Sequence, residues 1–207
     1  MTMKRWIFVG LIAFATLGSA AMAVETPPYK AALRDGDFEL RDYPALVVAE
    51  VTVDGDQKEA SSKGFKLLAA YIFGANKKRQ SIAMTAPVAQ QAVSEKIAMT
   101  APVEQTQSTS GTWVVRFTMP SRWSLQTLPV PDDSRVTLRQ TKPARFAVLQ
   151  FSGVADADSV RGKTTELLSL VKGHDRQAVG QVALAQYNPP WTLWFMRRNE
   201  VMVEIAR

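Results

Sequence analysis

Two stretches of this chain, offset by 98 or 99 residues, carry the same landmarks in the same order, and this correspondence constrains the fold more than any other feature. Leu40-Arg41 matches Leu138-Arg139, Pro44-Ala45 matches Pro143-Ala144, Gly55 matches Gly153, Gly64 matches Gly162, and Gly74 matches Gly173. In the first copy, residues 38–43 and 45–53 are apolar and β-branched and read as a strand pair joined at Pro44, which cannot donate to a ladder and suits a turn or an edge. Asp56-Gln-Lys-Glu59 then reads as a capping box opening a helix to about Phe73, with Phe65, Leu68 and Ile72 on one stripe and Gly74 as the stop. The second copy predicts a helix over about 156–172, with Val160, Thr164, Leu167, Leu168 and Val171 at helical spacing.

Further strands are expected at 82–88, 97–103, 113–119, 182–188, 192–197 and 200–206. The whole reads as an α+β domain built from a duplicated strand-strand-helix-strand half, with half-repeats at about 38–119 and 136–206. So many antiparallel strands tend to curl until their edges are covered, so the expected architecture is a distorted antiparallel β-barrel with two flanking helices and approximate twofold symmetry. Residues 24–37 read as an N-terminal extension to a single domain spanning 38–207.

The first residues belong to a different class of segment. Lys4 and Arg5 precede an uncharged run from Trp6 to Val24 that ends in Ala21-Met22-Ala23, the small-x-small pattern of a signal-peptidase site. Residues 1–23 are therefore read as a cleaved signal peptide, and the mature protein as periplasmic or secreted, with no stable membrane insertion. An uncleaved anchor is the alternative, since the run approaches the roughly 18 residues that can span a bilayer. Of the 25 basic and 19 acidic residues, cleavage leaves 23 basic, a mature charge near +4 in place of +6. That excess is small and scattered. Lys77-Lys78-Arg79 and Arg197-Arg198 are short runs beside turns, so no nucleic-acid partner is expected.

The sequence has no Cys and one His, which excludes thiolate metal sites, redox pairs, Cys nucleophiles and His clusters. Residues 157–164 meet the loose form of a phosphate-binding loop, but Asp156 and Asp158 would place negative charge where phosphates must sit. His174 follows the second helix, where a cation favours the helix dipole; axial ligation of iron is its less favoured reading and no metal site is assigned. Glu200, Met202 and Glu204 alternate on the last strand, with Tyr187 and Trp194 on neighbouring segments. A Glu enclosed by aromatics could act as a general base, though alternation is also what a solvent-facing strand shows.

A shorter repeat lies inside the first half: Ile82-Ala-Met84-Thr-Ala-Pro-Val88 recurs as Ile97 to Val103. Paired as a hairpin, the two copies would put Met84 and Met99 on one apolar face, beside small Ala side chains that leave room for a ligand. The alternative is plain barrel core.

Three segments together are specific enough to suggest a family: Ala70-Tyr-Ile-Phe-Gly-Ala-Asn-Lys-Lys-Arg79, the doubled IAMTAPV, and Tyr187-Asn-Pro-Pro-Trp191 through Arg197-Arg-Asn-Glu200. From about Tyr29 to Ala206 the chain resembles the SOUL haem-binding protein family. The resemblance implies a distorted barrel with two helices and a hydrophobic groove for haem or another tetrapyrrole, not covalently bound. Such a ligand needs an apolar slot with cations at its rim. Phe65, Leu68, Tyr71 and Ile72 are expected to wall it, Met84 and Met99 to line it, and Lys77, Lys78 or Arg79 to meet the propionates. Some members ligate iron through a His early in the domain, and this sequence has none before His174. The fold also resembles bacterial effector-binding domains and related hydrolases. The alternative function is therefore a small-molecule module using a cleft Glu204 or Glu200 with Tyr187 and Trp194.

Overall fold

The computed structural model describes residues 25–78, 95–108, 111–189 and 191–206. In chain order these form β1 (Lys30–Asp35), β2 (Phe38–Tyr43), β3 (Val47–Val53), α1 (Gln57–Ile72), β4 (Asn76–Lys77), β5 (Val103–Gln107), β6 (Trp113–Thr118), β7 (Val130–Pro131), β8 (Thr137–Gln140), β9 (Ala144–Phe151), α2 (Ala157–Gly173), β10 (Ala183–Gln186) and β11 (Asn199–Glu204). Both helices start where the sequence places them. Asp56 and Asp156 are the N-caps, each accepting a backbone N–H three residues on, from Glu59 and Ser159 at 2.8 Å.

Nine strands form one antiparallel sheet in the order β1-β2-β9-β11-β10-β5-β6-β3-β8, and β4 pairs with β7 apart from it. Exchanging β2 with β8, β3 with β9, β5 with β10 and β6 with β11 reverses this order onto itself, leaving β1 as the one addition. Register follows the same exchange: Arg41 sits opposite Phe146 on the β2–β9 ladder, and Arg139 opposite Val48 on the β3–β8 ladder. Gly55 and Gly153 both adopt positive φ, 127° and 110°, just before the two helices.

The two strands joined at Pro44 do not pair with each other. β2 lies between β1 and β9, whereas β3 lies between β6 and β8 at the far end of the sheet, so each half lends its first strand to the other. Alternation identifies a strand but not its partner, and here the long-range ladders replaced the local hairpin.

The sheet does not close into the expected barrel. β1, formed within the segment read as an extension, covers the free edge of β2, and four-residue β8 ends the other side. A short edge strand at one end and a charged one at the other limit edge pairing without closure. Residues 192–197, expected as a strand, instead contain a 3-10 turn at Trp194–Met196. The second IAMTAPV copy becomes strand only from Val103, with Thr100 bridged to Glu25. The first copy and the segment read as a signal peptide lie outside the described residues.

Both helices cover one face of the sheet, α1 over β3 and β6, and α2 over β9 and β11. Two cores result, one centred on Leu68, Tyr71, Val115 and Phe117, the other on Phe38, Leu149, Leu167 and Val201. α1 approaches its strands closely because Gly64 rests on Val115, whose side chain would lie 2.4 Å from any added Cβ. The helix-free face carries a smaller apolar cluster of Tyr43, Val148, Ala183, Ala185 and Met202.

Candidate functional site

The stripe on α1 sorts its residues into two groups. Leu68, Tyr71 and Ile72 are buried between the helix and the sheet, each contributing about 1.5–3 kcal/mol of burial, and the Tyr71 hydroxyl donates to the Pro129 carbonyl at 2.9 Å. Their side chains support the helix from behind. Phe65, at the margin of the stripe, is 39% exposed and stands edge-on to Phe117 with ring centroids 5.5 Å apart. Met99 is similarly exposed, and Lys77 and Lys78 are solvent-facing beyond the end of α1. Arg79 and Met84 lie outside the described residues. A cavity of about 470 Å³ beside α1 includes Leu67, Tyr71 and Val136, but Asp132 and Asp133 stand at it. Hydrogen bonds from Arg135 hold the Asp133 carboxyl down at about 2, so Asp133 stands at that mouth ionised and paired with the Arg135 guanidinium.

Five of the twelve exposed large apolar side chains among the described residues lie on the β10–β11 connection. Trp191, Leu193, Trp194, Phe195 and Met196 are all more than half exposed, Trp191 by 83%. The loop is nevertheless held in shape. Tyr187 N–H donates to the Arg198 carbonyl at 3.2 Å, Arg198 N–H to Asn188 Oδ1 at 2.7 Å, Thr192 N–H to the Pro189 carbonyl at 3.0 Å, and Arg197 Nε to the Thr192 carbonyl at 2.8 Å. Trp194 and Phe195 meet edge-to-face at 5.6 Å. Its base is tied to α1 through Gln105, whose Nε2 donates to Ser61 Oγ at 2.8 Å and to Gln186 Oε1 at 3.2 Å. Apolar surface concentrated in one ordered loop marks a contact site for a ligand or partner.

On the helix-free face, fully buried Glu200 is enclosed by cations and a phenol. Arg41 forks onto it, Nη1 to Oε2 at 2.9 Å and Nη2 to Oε1 at 3.1 Å; Arg198 Nη2 reaches Oε1 at 2.6 Å and the Tyr187 hydroxyl donates to Oε2 at 2.7 Å. Arg41 also bonds Glu39 and lies over the Tyr29 ring, and Arg198 lies over the Tyr187 ring. Burial alone would raise the Glu200 carboxyl, but hydrogen bonds and charge from Arg41, with Arg198 and Tyr187 adding to them, outweigh it and hold it below the ordinary carboxylate range. Burial together with the Glu200 charge drives Tyr187 up, and burial pushes Tyr43 up to about 12.

The other half carries a related cluster. Arg139, the counterpart of Arg41, donates to Glu50 at 2.7 Å, and Arg116 bridges Glu50 to Glu104. Burial raises Glu104. Glu50 is lowered, because Arg139 and Arg116 outweigh its burial.

Of the four residues considered for acid–base work, the fold brings together Glu200 and Tyr187 only. Trp194 projects into solvent and Glu204 is exposed at the strand end. Glu200 is ionised, with both oxygens already accepting, and so is not poised to take a proton from a substrate. His174 is the C-cap of α2, stacks on Phe38 at 4.9 Å and 7°, and has Nε2 3.5 Å from Asp35. Among the described residues no group of His, Asp and Glu is arranged to hold a metal ion, and no helix is long and apolar enough to cross a membrane.

Sequence reasoning missed Arg41 and the exposed set Trp191, Leu193, Phe195 and Met196. Arg41 carries no local signal of its partner, 159 residues away. The loop had one: five large apolar residues within six positions, following two prolines, fit a displayed turn better than a strand.

The profile described as SOUL heme-binding protein matches residues 24–204. Heme-binding protein 2 from Homo sapiens is 29% identical over 195 residues, covering 88% of this chain and 90% of that protein; its counterpart from Mus musculus is 27% identical over 200 residues, covering 90% and 93%. In fold, the chain is similar to the EcmrR C-terminal domain, with a TM-score of 0.58 and 9% identity over 86% of this chain and 98% of that one. It is also similar to a hydrolase from Listeria innocua, with a TM-score of 0.54 and 11% identity over 84% and 94%.

Proposed function

The chain belongs to the SOUL heme-binding protein family, and from that premise we propose that it is an exported binding protein taking haem or another tetrapyrrole on an exposed apolar surface, without an axial His. The observation that carries this reading is the ordered display of Trp191, Leu193, Trp194, Phe195 and Met196. A flat macrocycle buries large aromatic and thioether surface there, at reduced entropic cost because hydrogen bonds already order the backbone that carries it. Phe65 and Met99, each more than a third exposed, are further apolar contacts assigned to the ligand, with Leu68, Tyr71 and Ile72 buried behind Phe65 on α1. Lys77 and Lys78 supply cations for propionates, and the parts assigned to Arg79 and Met84 rest on the sequence motifs alone. His174 is committed to Phe38 on the other half of the sheet, which supports ligation-free binding.

Export rests on the Lys4-to-Ala23 segment, with periplasmic or secreted location following from cleavage there. The reversible strand order and the matched registers of Arg41 and Arg139 support reading the two halves as copies of one unit. The alternative, an effector-binding or hydrolase-like module built on Glu200 and Tyr187, has less support because that carboxylate is saturated by Arg41 and Arg198.

Titrating the protein lacking residues 1–23 with haemin tests the proposal. A saturable Soret shift at one equivalent is expected. A shift that grows linearly without saturating contradicts it.

A further inference from the structure

The second IAMTAPV copy fills a slot whose contacts are all on view. Ile97 is 2% exposed and packs in the core beneath α1 with Leu68, Ile72 and Val115. Its N–H donates to the Ile72 carbonyl at 2.7 Å, and the Asn76 amide holds the backbone N–H and carbonyl of Glu95 at 2.9 and 2.8 Å. Further on, the Ala101 N–H donates to the Glu25 carbonyl at 3.0 Å, and the buried Thr100 hydroxyl donates to the Thr118 carbonyl. Val103 then opens β5, which Gln105 ties to Ser61 and Gln186 at 2.8 and 3.2 Å.

Each of these contacts uses a backbone group of the segment or a side chain that the first copy also has. Ile82 matches Ile97, Thr85 matches Thr100 and Ala86 matches Ala101, and beyond the identical residues Gln90 matches Gln105. We infer that the slot takes Ile82–Val88 in place of Ile97–Val103, so that β5 has two alternative strands fifteen residues apart in one chain. Register in a sheet is set by the side-chain pattern, and two such similar patterns specify it only weakly. Reach allows the shift. Gln80 takes the place of Glu95 beside Asn76, and four residues of extended chain span about 13 Å, more than an asparagine side chain and one hydrogen bond require. The connection before the slot becomes fifteen residues shorter and the β5–β6 turn fifteen longer. Closure entropy varies only with the logarithm of loop length, and these two changes oppose each other. Glu104 favours the second copy: it accepts from Arg116 at 3.2 Å, and the first copy offers Ala89 at that position.

The test reads the urea midpoint of unfolding in otherwise unaltered protein. Replacing the leading isoleucine by Asp blocks a copy, because an unpaired carboxylate in the core beneath α1 is strongly disfavoured. Ile82→Asp alone should leave the midpoint unchanged, and Ile97→Asp should lower it only slightly, since the intact first copy then fills the slot. The double variant should lose more than the two single losses together. Valine substitutions read which hydroxyl meets Thr118. Thr100→Val should lower the midpoint of wild type but not of Ile97→Asp, and Thr85→Val should do the reverse. Losses that simply add, or Thr100 remaining the sensitive position in both backgrounds, would overturn the inference and reserve the slot for the second copy. So would an Ile97→Asp protein that does not fold. Haemin enters none of these measurements, so their outcome is independent of the tetrapyrrole reading.

Discussion

Arg41 on β2 and Glu200 on β11 form a buried two-pronged ion pair across 159 residues of sequence, at 2.9 and 3.1 Å, with both side chains almost fully removed from solvent. β9 lies between the two strands, so the pair fastens the lent first strand of one half to the last strand of the other. Removing one partner from such a pair strands the other charge in a poorly solvating interior. Glu200→Gln is expected to lower unfolding free energy by about 3–5 kcal/mol in urea, whereas Glu204→Gln, at an exposed position, changes it by less than about 0.5 kcal/mol. Equal effects would mean that the pair contributes nothing beyond its surface neighbours.

The same carboxylate gives stability a pH dependence of defined sign. Glu200 is held below its ordinary value of 4.5 in the folded protein, so the unfolded chain binds the proton more readily. Its contribution is complete above pH 4.5 and is lost as pH falls through the lower folded value. Glu104, raised by burial, acts in the opposite sense, so the difference between wild type and Glu200→Gln isolates the Glu200 contribution. That difference should shrink on acidification below pH 4.5. A difference constant from pH 7 down to the acid transition would exclude this linkage.

At the alkaline end, Tyr43 is pushed up to about 12 from 10.0, so the folded state retains a proton that the unfolded chain releases. Stability is therefore expected to fall as pH rises between 10.0 and about 12, with less of that fall in Tyr43→Phe. Identical alkaline profiles for the two proteins would refute this role for the phenol.

The two aligned helix glycines differ in their surroundings. A Cβ at Gly64 meets the Val115 side chain at 2.4 Å, whereas one at Gly162 meets nothing within 4 Å. Gly64→Ala should cost about 1–3 kcal/mol and be partly rescued by Val115→Ala, while Gly162→Ala should stabilise by about 0.5–1 kcal/mol through helix propensity. Chemical denaturation of the four proteins reads both signs, and rescue failing at Val115 would show that close packing is not what fixes Gly64.

These glycines also illustrate what the sequence could convey. The capping box at Asp56 and the two helical stripes are local patterns, so α1 and α2 were legible to within a residue or two, and the motif segments carried the family. Strand pairing is non-local. Nothing near Pro44 indicates that β2 and β3 end at opposite sides of the sheet, and that single fact makes the Arg41–Glu200 contact invisible from either residue's neighbourhood. The stripe containing Leu68 and Ile72 was correctly apolar, yet periodicity does not separate a face turned to the core from one turned to a ligand. The display of Trp194 and Phe195 depends on a 3-10 turn closed by backbone bonds to the Leu193 and Trp194 carbonyls and flanked by bonds to Asn188, Pro189 and Thr192, a loop geometry that alternation of residue types does not encode.

The central claim is that a tetrapyrrole binds the displayed aromatic loop without a histidine ligand. It is tested most directly by the haemin dissociation constants of wild type, Trp194→Ser/Phe195→Ser and His174→Ala, measured side by side from the Soret shift. The loop variant should bind at least tenfold more weakly and His174→Ala within twofold of wild type. The reverse pattern, with the loop variant unchanged and His174→Ala abolishing the shift, would contradict the account.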